Sequence, residues 1–196
     1  MHGNLEVVTG PMFGGKTTET LRSYLWLTIG LKRKALALKP RFDTRYSETE
    51  IVSHIGIRAP AVSIDRFPWN HLTDDVRAVY LDEVHFLEAP LFDGDIVADI
   101  RKVLATGRDV HAAGLDMDVN GRSFAVTAAL LAMADRVTKV RAICSICGRD
   151  ASKTQKIGGT SSRFELGASD KYEARCNEHW SLIEATGVHL DFGDPK

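Results

Sequence analysis

The run Gly10-Pro11-Met12-Phe13-Gly14-Gly15-Lys16-Thr17 has the spacing G-x-x-x-x-G-K-[ST]; it follows the apolar stretch Leu5 to Val8 and leads into a helix-like stretch from Thr17. Such a turn gathers backbone N–H groups into one concavity at a helix N-terminus, which suits it to the phosphates of a nucleoside triphosphate. Gly10, Gly14 and Gly15 let the backbone close tightly. Lys16 is expected to reach the β- and γ-phosphates, and the Thr17 hydroxyl to take one position on Mg²⁺.

A second reactive group is the acid pair Asp82-Glu83, which ends the apolar run Val79-Tyr80-Leu81. At the carboxyl edge of a parallel sheet beside a phosphate loop, Asp82 is placed to hold Mg²⁺, through water. Strand alternation turns Glu83 elsewhere, free to act as general base on the group that attacks the γ-phosphorus. Attack by water gives an ATPase and attack by a substrate hydroxyl gives a kinase; the acids alone do not separate the two.

Cys144-Ser145-Ile146-Cys147 and Cys176-Asn177-Glu178-His179 form two hooks that supply three thiolates and one imidazole, a tetrahedral set for Zn²⁺ that uses all three cysteines of the chain. Four protein ligands leave no open position, so the zinc is expected to be structural. The intervening residues mix Lys153, Lys156, Arg163 and Lys171 with acids and glycines, without the basic stripe and stacking aromatics of a nucleic-acid module.

These residues need a scaffold. Apolar runs at Leu5–Val8, Ala35–Leu38, Ala61–Ile64, Val79–Leu81 and Val110–Leu115 predict buried strands, the first, second, fourth and fifth parallel and central. Helical spacing predicts helices over Thr17–Ile29, Pro90–Ala105 and Ser123–Asp135, followed by a strand-like run Arg136–Ile143, with Gly30 and Gly107 as stops. The alternation predicts an α/β fold, a RecA-like P-loop domain with a mostly parallel central sheet. The texture changes near residue 141, which divides a catalytic domain, 1–141, from a zinc module with a polar tail, 142–196.

The chain has 196 residues, enough for one α/β domain and a small appended module. With 25 basic and 26 acidic residues its formal net charge is −1, which disfavours nucleic acid and anionic lipid as partners. No apolar run approaches the ~18 residues of a membrane span, and the first residues leave no room for a secretory signal, so a cytoplasmic location is expected. The scattered histidines His54, His71, His85 and His111 read as surface or satisfied buried residues. His85, two residues after Glu83, faces the site or turns away from it, and is given no role.

The order GPMFGGKT, then DTRYS at Asp43–Ser47, DE-x-x-F, GLDMD at Gly114–Asp118, C-x-x-C and KYEARC-x-x-H resembles the thymidine kinases of the zinc-containing cellular type. The match covers nearly the whole chain, up to about Trp180. The resemblance implies transfer of the ATP γ-phosphate to the 5′-hydroxyl of thymidine, in nucleotide salvage for DNA synthesis, with Glu83 as the catalytic base. It implies that Asp43 and Arg45 lie beside the metal and phosphates, and that Met12, Phe86, Leu115 and Phe124 line the nucleoside pocket. Thr154, Tyr172 and the stretch Phe164, Glu165, Leu166, Gly167 resemble the lasso loop that closes over thymine. A homotetramer and feedback inhibition by thymidine triphosphate are further implications.

Several positions depart from the family pattern. Gly14 stands where Ser is usual, Val84-His85 where a small residue and Gln are usual, Ile55 follows His54, and Glu165 replaces an apolar residue in a short lasso. From the residues without the family, a P-loop ATPase whose zinc module acts on nucleic acid or a protein partner also fits. The apolar Met12, Phe86 and Phe124 favour a small flat substrate instead.

Overall fold

The structure, a computed structural model, describes residues 2–160 and 162–181. The first strand, β1 (Leu5–Thr9), runs into the Gly-rich turn, from which α1 (Lys16–Leu25) starts. This helix widens into a π turn at Trp26–Gly30, and the left-handed reversal falls on Lys32, at φ 53°, rather than on Gly30. After β2 (Lys34–Pro40) comes a hairpin of β3 (Glu50–Val52) and β4 (Arg58–Pro60), whose three-residue strands are too short to show a period in the sequence. Then follow β5 (Val62–Ile64) and β6 (Val76–Leu81).

The helix expected from Pro90 begins only at Ile96, as α2 (Ile96–Ala105). Asp95 sets that start: its carboxylate accepts the N–H groups of Val97 and Ala98, each at 3.0 Å, which leaves 90–95 to turns. β7 (Asp109–Gly114) leads to α3 (Ala125–Met133), shorter at both ends than its apolar run, and to β8 (Arg136–Lys139). The strand expected to reach Ile143 breaks after Lys139. Beside it, β1 has given way to the phosphate loop, so β9 (Ala142–Ile143) pairs with β10 (Asp150–Ala151) in a separate ribbon. A third ribbon joins β11 (Lys153–Lys156) to β12 (Tyr172–Arg175) and closes the loop between them. The polar tail from 182 onward lies outside the described residues.

Six strands form one sheet in the order β5-β2-β6-β7-β1-β8, every pair parallel, as the α/β P-loop pattern predicts. One face packs Leu5, Val7, Leu38, Val79, Leu81 and Val110 against Ile96, Ile100 and Val103 of α2 and Val126 and Leu130 of α3. The other face packs Ala37, Ala78 and Tyr80 against Leu21 of α1 and Ile51 and Ala59 of the hairpin. Each fully buried Leu, Ile or Val contributes about 1.5–3 kcal/mol, so burial on both faces stabilises the sheet that underlies the site. The chain leaves β1 for β2 across two strands while β8 flanks β1 on its other side, which opens a crevice at the carboxyl end of β1. No described helix is long and apolar enough to cross a membrane.

Candidate active site

The phosphate loop is shaped by contact with the end of β8. Gly10, at φ 137°, lies so close that a Cβ there would stand 2.4 Å from the Val140 carbonyl oxygen. A Cβ at Gly14 would meet the Val140 Cγ2 methyl at 2.9 Å, so a larger residue there would require Val140 to shift. Lys16, the first residue of α1, is buried, and its Nζ donates to the Pro11 carbonyl at 2.8 Å. Burial lowers its pKa, opposed by the charges of Glu83, Asp82 and Asp116.

Asp82 and Glu83 lie just past β6. The Asp82 N–H donates to the Leu38 carbonyl at 3.0 Å, and its carboxylate receives the Thr17 hydroxyl at 3.1 Å, joining the acid to the helix start. Burial and the neighbouring Glu83 charge push the Asp82 pKa up to about 7. The two carboxylates diverge for a reason other than strand alternation: the strand ends at Leu81, and Glu83 takes a left-handed backbone, φ 51°, that starts a 3₁₀ turn over Val84–Phe86. Burial would raise the Glu83 pKa, but the Arg45 charge, helped by His85 and Lys16, holds it down to about 2. Glu83 is therefore a carboxylate throughout the physiological range.

Arg45 organises this corner. Its Nε donates to Asp43 at 2.7 Å, one terminal nitrogen bridges Asp43 and Glu83, and the other reaches toward the Gly167 carbonyl at 3.5 Å. The guanidinium pKa is raised despite burial, because Glu83 and Asp43 hold the charged form.

Above this floor opens a cavity of about 450 Å³. Its walls include Met12, Phe13, Gly15, Lys16, Thr17, Arg45 and Glu83 on the phosphate side, Phe86, Leu115 and Phe124 on an apolar side, and Thr154, Glu165, Gly167 and Tyr172 from the module. Phe164 and Leu166 of the expected lasso set stand behind the wall: the Phe164 ring centroid is 6.3 Å from that of Phe86 and 6.2 Å from that of Phe124, while the Leu166 carbonyl accepts from Lys171 Nζ at 2.9 Å. Thr154 ties the module to the phosphate loop, its hydroxyl oxygen accepting the Met12 N–H at 3.0 Å. Tyr172 donates to the Glu165 carbonyl at 3.0 Å, and burial together with the Glu165 charge pushes its pKa up to about 12.

A family model described as thymidine kinase matches residues 3–180. The chain is also 41% identical, over 184 residues covering 90% of each sequence, to a thymidine kinase of Coprothermobacter proteolyticus. The chain belongs to the thymidine kinase family. Kinase membership is in keeping with a cavity that has the Gly-rich turn and Lys16 at one end and apolar side chains at the other.

The four ligands expected for zinc are assembled here. The Sγ atoms of Cys144, Cys147 and Cys176 and a ring nitrogen of His179 all lie within 4.8 Å of one another. Cys147 and Cys176 Sγ are 3.8 Å apart, far beyond a disulfide bond and equal to the ~3.8 Å edge of a tetrahedron with 2.3 Å Zn–S bonds. Arg149 Nε sits 3.4 Å from Cys147 Sγ, a cation suited to the excess negative charge of three thiolates on one Zn²⁺. The residues therefore fit a closed structural zinc. The cluster packs on Ala142, Ala151 and Ala174 at the base of both short ribbons.

Sequence reasoning assigned no role to two wall residues. His85 is 1% exposed, and its Nδ1 accepts the Leu115 N–H at 3.2 Å, which fixes the proton of the neutral ring on Nε2. Burial, against the pull of Glu83, holds its pKa down to about 4. The signal was its place two residues after Glu83, but strand alternation could not say which way it pointed. Arg163, in the loop, reaches Asp118 and the Ser123 carbonyl. Its spacing carried no signal at all.

Proposed function

We propose that the protein is an ATP-dependent thymidine kinase that transfers the γ-phosphate of ATP to the 5′-hydroxyl of thymidine, giving dTMP and ADP. The observation that carries this reading is that the phosphate loop, Glu83 and an apolar, loop-covered wall all open on one cavity of nucleoside size. In this proposal the backbone of Gly10–Thr17 cradles the phosphates, and Lys16 leaves the Pro11 carbonyl to meet the γ-phosphate. Thr17 and Asp82 would hold Mg²⁺, which offsets the phosphate charge when bound. Arg45, anchored by Asp43, offsets charge that spreads over the transferred phosphoryl oxygens.

Glu83, held near pKa 2, is a weak base in the free enzyme. A loose phosphoryl-transfer transition state asks little basicity of it, because the nucleophile bonds late; orienting the hydroxyl and taking its proton late suffices. Thymine is assigned to the space between Met12, Phe86, Leu115 and Phe124, under a lasso formed by residues 157–171, whose backbone would hydrogen-bond the base edge. The zinc would lower the entropy lost on lasso closure, and closure would exclude water in favour of the nucleoside hydroxyl. Cytoplasmic location, homotetramer assembly and feedback inhibition by thymidine triphosphate belong to the same proposal.

The test is ADP release from zinc-loaded protein with Mg-ATP, alone and with thymidine, deoxyuridine, deoxycytidine, deoxyadenosine or deoxyguanosine. Thymidine-dependent release is expected. Equal release without nucleoside would replace the kinase with a water-activating ATPase, and preference for another nucleoside would overturn the thymine assignment.

A further inference from the structure

The loop between β11 and β12 is built as a stiff flap. Inside it, the Glu165 carboxylate receives Lys156 Nζ at 2.5 Å, Lys171 Nζ at 2.9 Å and the Thr160 N–H at 2.9 Å, while Tyr172 donates to the Glu165 carbonyl. Charge-assisted bonds of this kind hold the flap in one shape, so it lifts or closes largely as a unit. The acid that stands where the family usually has an apolar residue thus stiffens the flap rather than lining it with grease.

Beside the Phe164 ring, the Arg163 side chain reaches across to the opposite wall and makes polar contacts there. Arg163 Nε lies 3.1 Å from Asp118 Oδ2, a terminal nitrogen donates to the Ser123 carbonyl at 2.8 Å, and the guanidinium carbon stands 4.8 Å from the Phe124 ring centroid. All three partners sit in the stretch between β7 and α3 that supplies Phe124 to the cavity. Asp118 is set in advance: its other oxygen accepts the N–H groups of Asn120 at 3.0 Å and Arg122 at 2.9 Å. The acceptor is therefore in place whether the flap is up or down.

We propose that Arg163 is the latch that holds the flap shut over the nucleoside cavity, and so a positioning residue for the base. The inference rests on the kinase reading above. A ligand that needs the closed flap binds with an apparent affinity scaled by the closed fraction, so removing the latch weakens binding without touching the chemistry. An ion pair to a buried carboxylate, one charge-assisted hydrogen bond and an aromatic contact together make about tenfold the expected loss, with the partly exposed guanidinium keeping it modest. Thymidine is uncharged, so its own affinity has no reason to respond to salt; a flap held by charge gives it one.

The experiment is calorimetric titration of zinc-loaded protein with thymidine, without nucleotide, from 0.05 to 0.5 M KCl. The wild type is expected to weaken about two- to fivefold across that range. Arg163→Met should bind about tenfold more weakly at low salt and respond little to salt, while Arg163→Lys, which can still meet Asp118, should fall between and keep the salt response. In turnover, Arg163→Met should raise the thymidine KM with kcat within about twofold, since Glu83, Lys16 and Arg45 are untouched. Unchanged affinity in Arg163→Met, or a salt-independent wild type, overturns the latch. If the wild type binds no thymidine, the substrate reading fails instead, and chymotryptic cleavage at Phe164 in the free proteins decides the latch: faster cleavage in Arg163→Met supports it and equal rates overturn it.

Discussion

Replacing His85 with Gln should flatten the acid side of the stability curve. The ring is packed 4.1 Å from the Phe86 ring and 4.9 Å from that of Phe124, among the charges of Glu83, Lys16, Arg45 and Asp43, and burial leads in holding its pKa down to about 4. In the unfolded chain the value returns to about 6.5. Between those two values the unfolded chain binds a proton that the folded protein does not, so stability rises with pH across the window. The contribution of His85 is complete above about 6.5 and is lost as the pH falls toward 4. At 1.36 kcal/mol per pH unit, moving from pH 7 to pH 5 removes about 2 kcal/mol through this one ring. Gln takes up no proton, and its carbonyl oxygen can accept from the Leu115 N–H in place of Nδ1. Urea unfolding of both proteins, with zinc present, at pH 7 and pH 5 measures the difference. The wild type should lose about 2 kcal/mol more than His85→Gln over that step. Acid effects common to both, including those at the cysteine–histidine cluster, cancel in the comparison. Equal losses would mean that the folded protein protonates His85, and the reasoning from burial would be refuted.

Three further outcomes are expected. Glu83→Gln should lower kcat by about 10²–10⁴ while Mg-ATP binding, measured by displacement of a fluorescent analogue, stays within a few-fold; near-normal turnover would remove Glu83 from the chemistry. Cys176→Ser should abolish stoichiometric zinc, read by metal analysis, and raise the thymidine KM more than the ATP KM, because Cys176 anchors the far end of β12, the strand into which the lasso leads at Tyr172; parallel changes in both would argue against a separate lasso role for the metal. Gly14→Ser should cost about 1–2 kcal/mol in thermal or urea unfolding and be relieved by Val140→Ala, since the new Cβ would stand 2.9 Å from the Val140 methyl; additive effects of the two changes would show that the contact does not matter.

The sequence determined the parts whose chemistry is local. A Gly-rich turn between strand and helix is a property of eight consecutive residues, and zinc hooks are properties of ligand type and spacing, so the turn at Gly10–Thr17 and the grouping of the three cysteines with His179 were legible without coordinates. Central strands were legible because burial on both faces leaves an apolar run, as at Val79–Leu81. Element ends were less so: Asp95 restarting a helix at Ile96, and the break after Lys139, depend on which backbone groups find partners. Tertiary structure alone decided the directions and encounters of side chains far apart in the chain. The left-handed backbone at Glu83 aimed its carboxylate at Arg45, burial pushed the His85 pKa down, and Arg163 met Asp118 across 45 positions of sequence. Such contacts follow from where the sheet and the short ribbons bring distant segments together, and no local period or spacing encodes that.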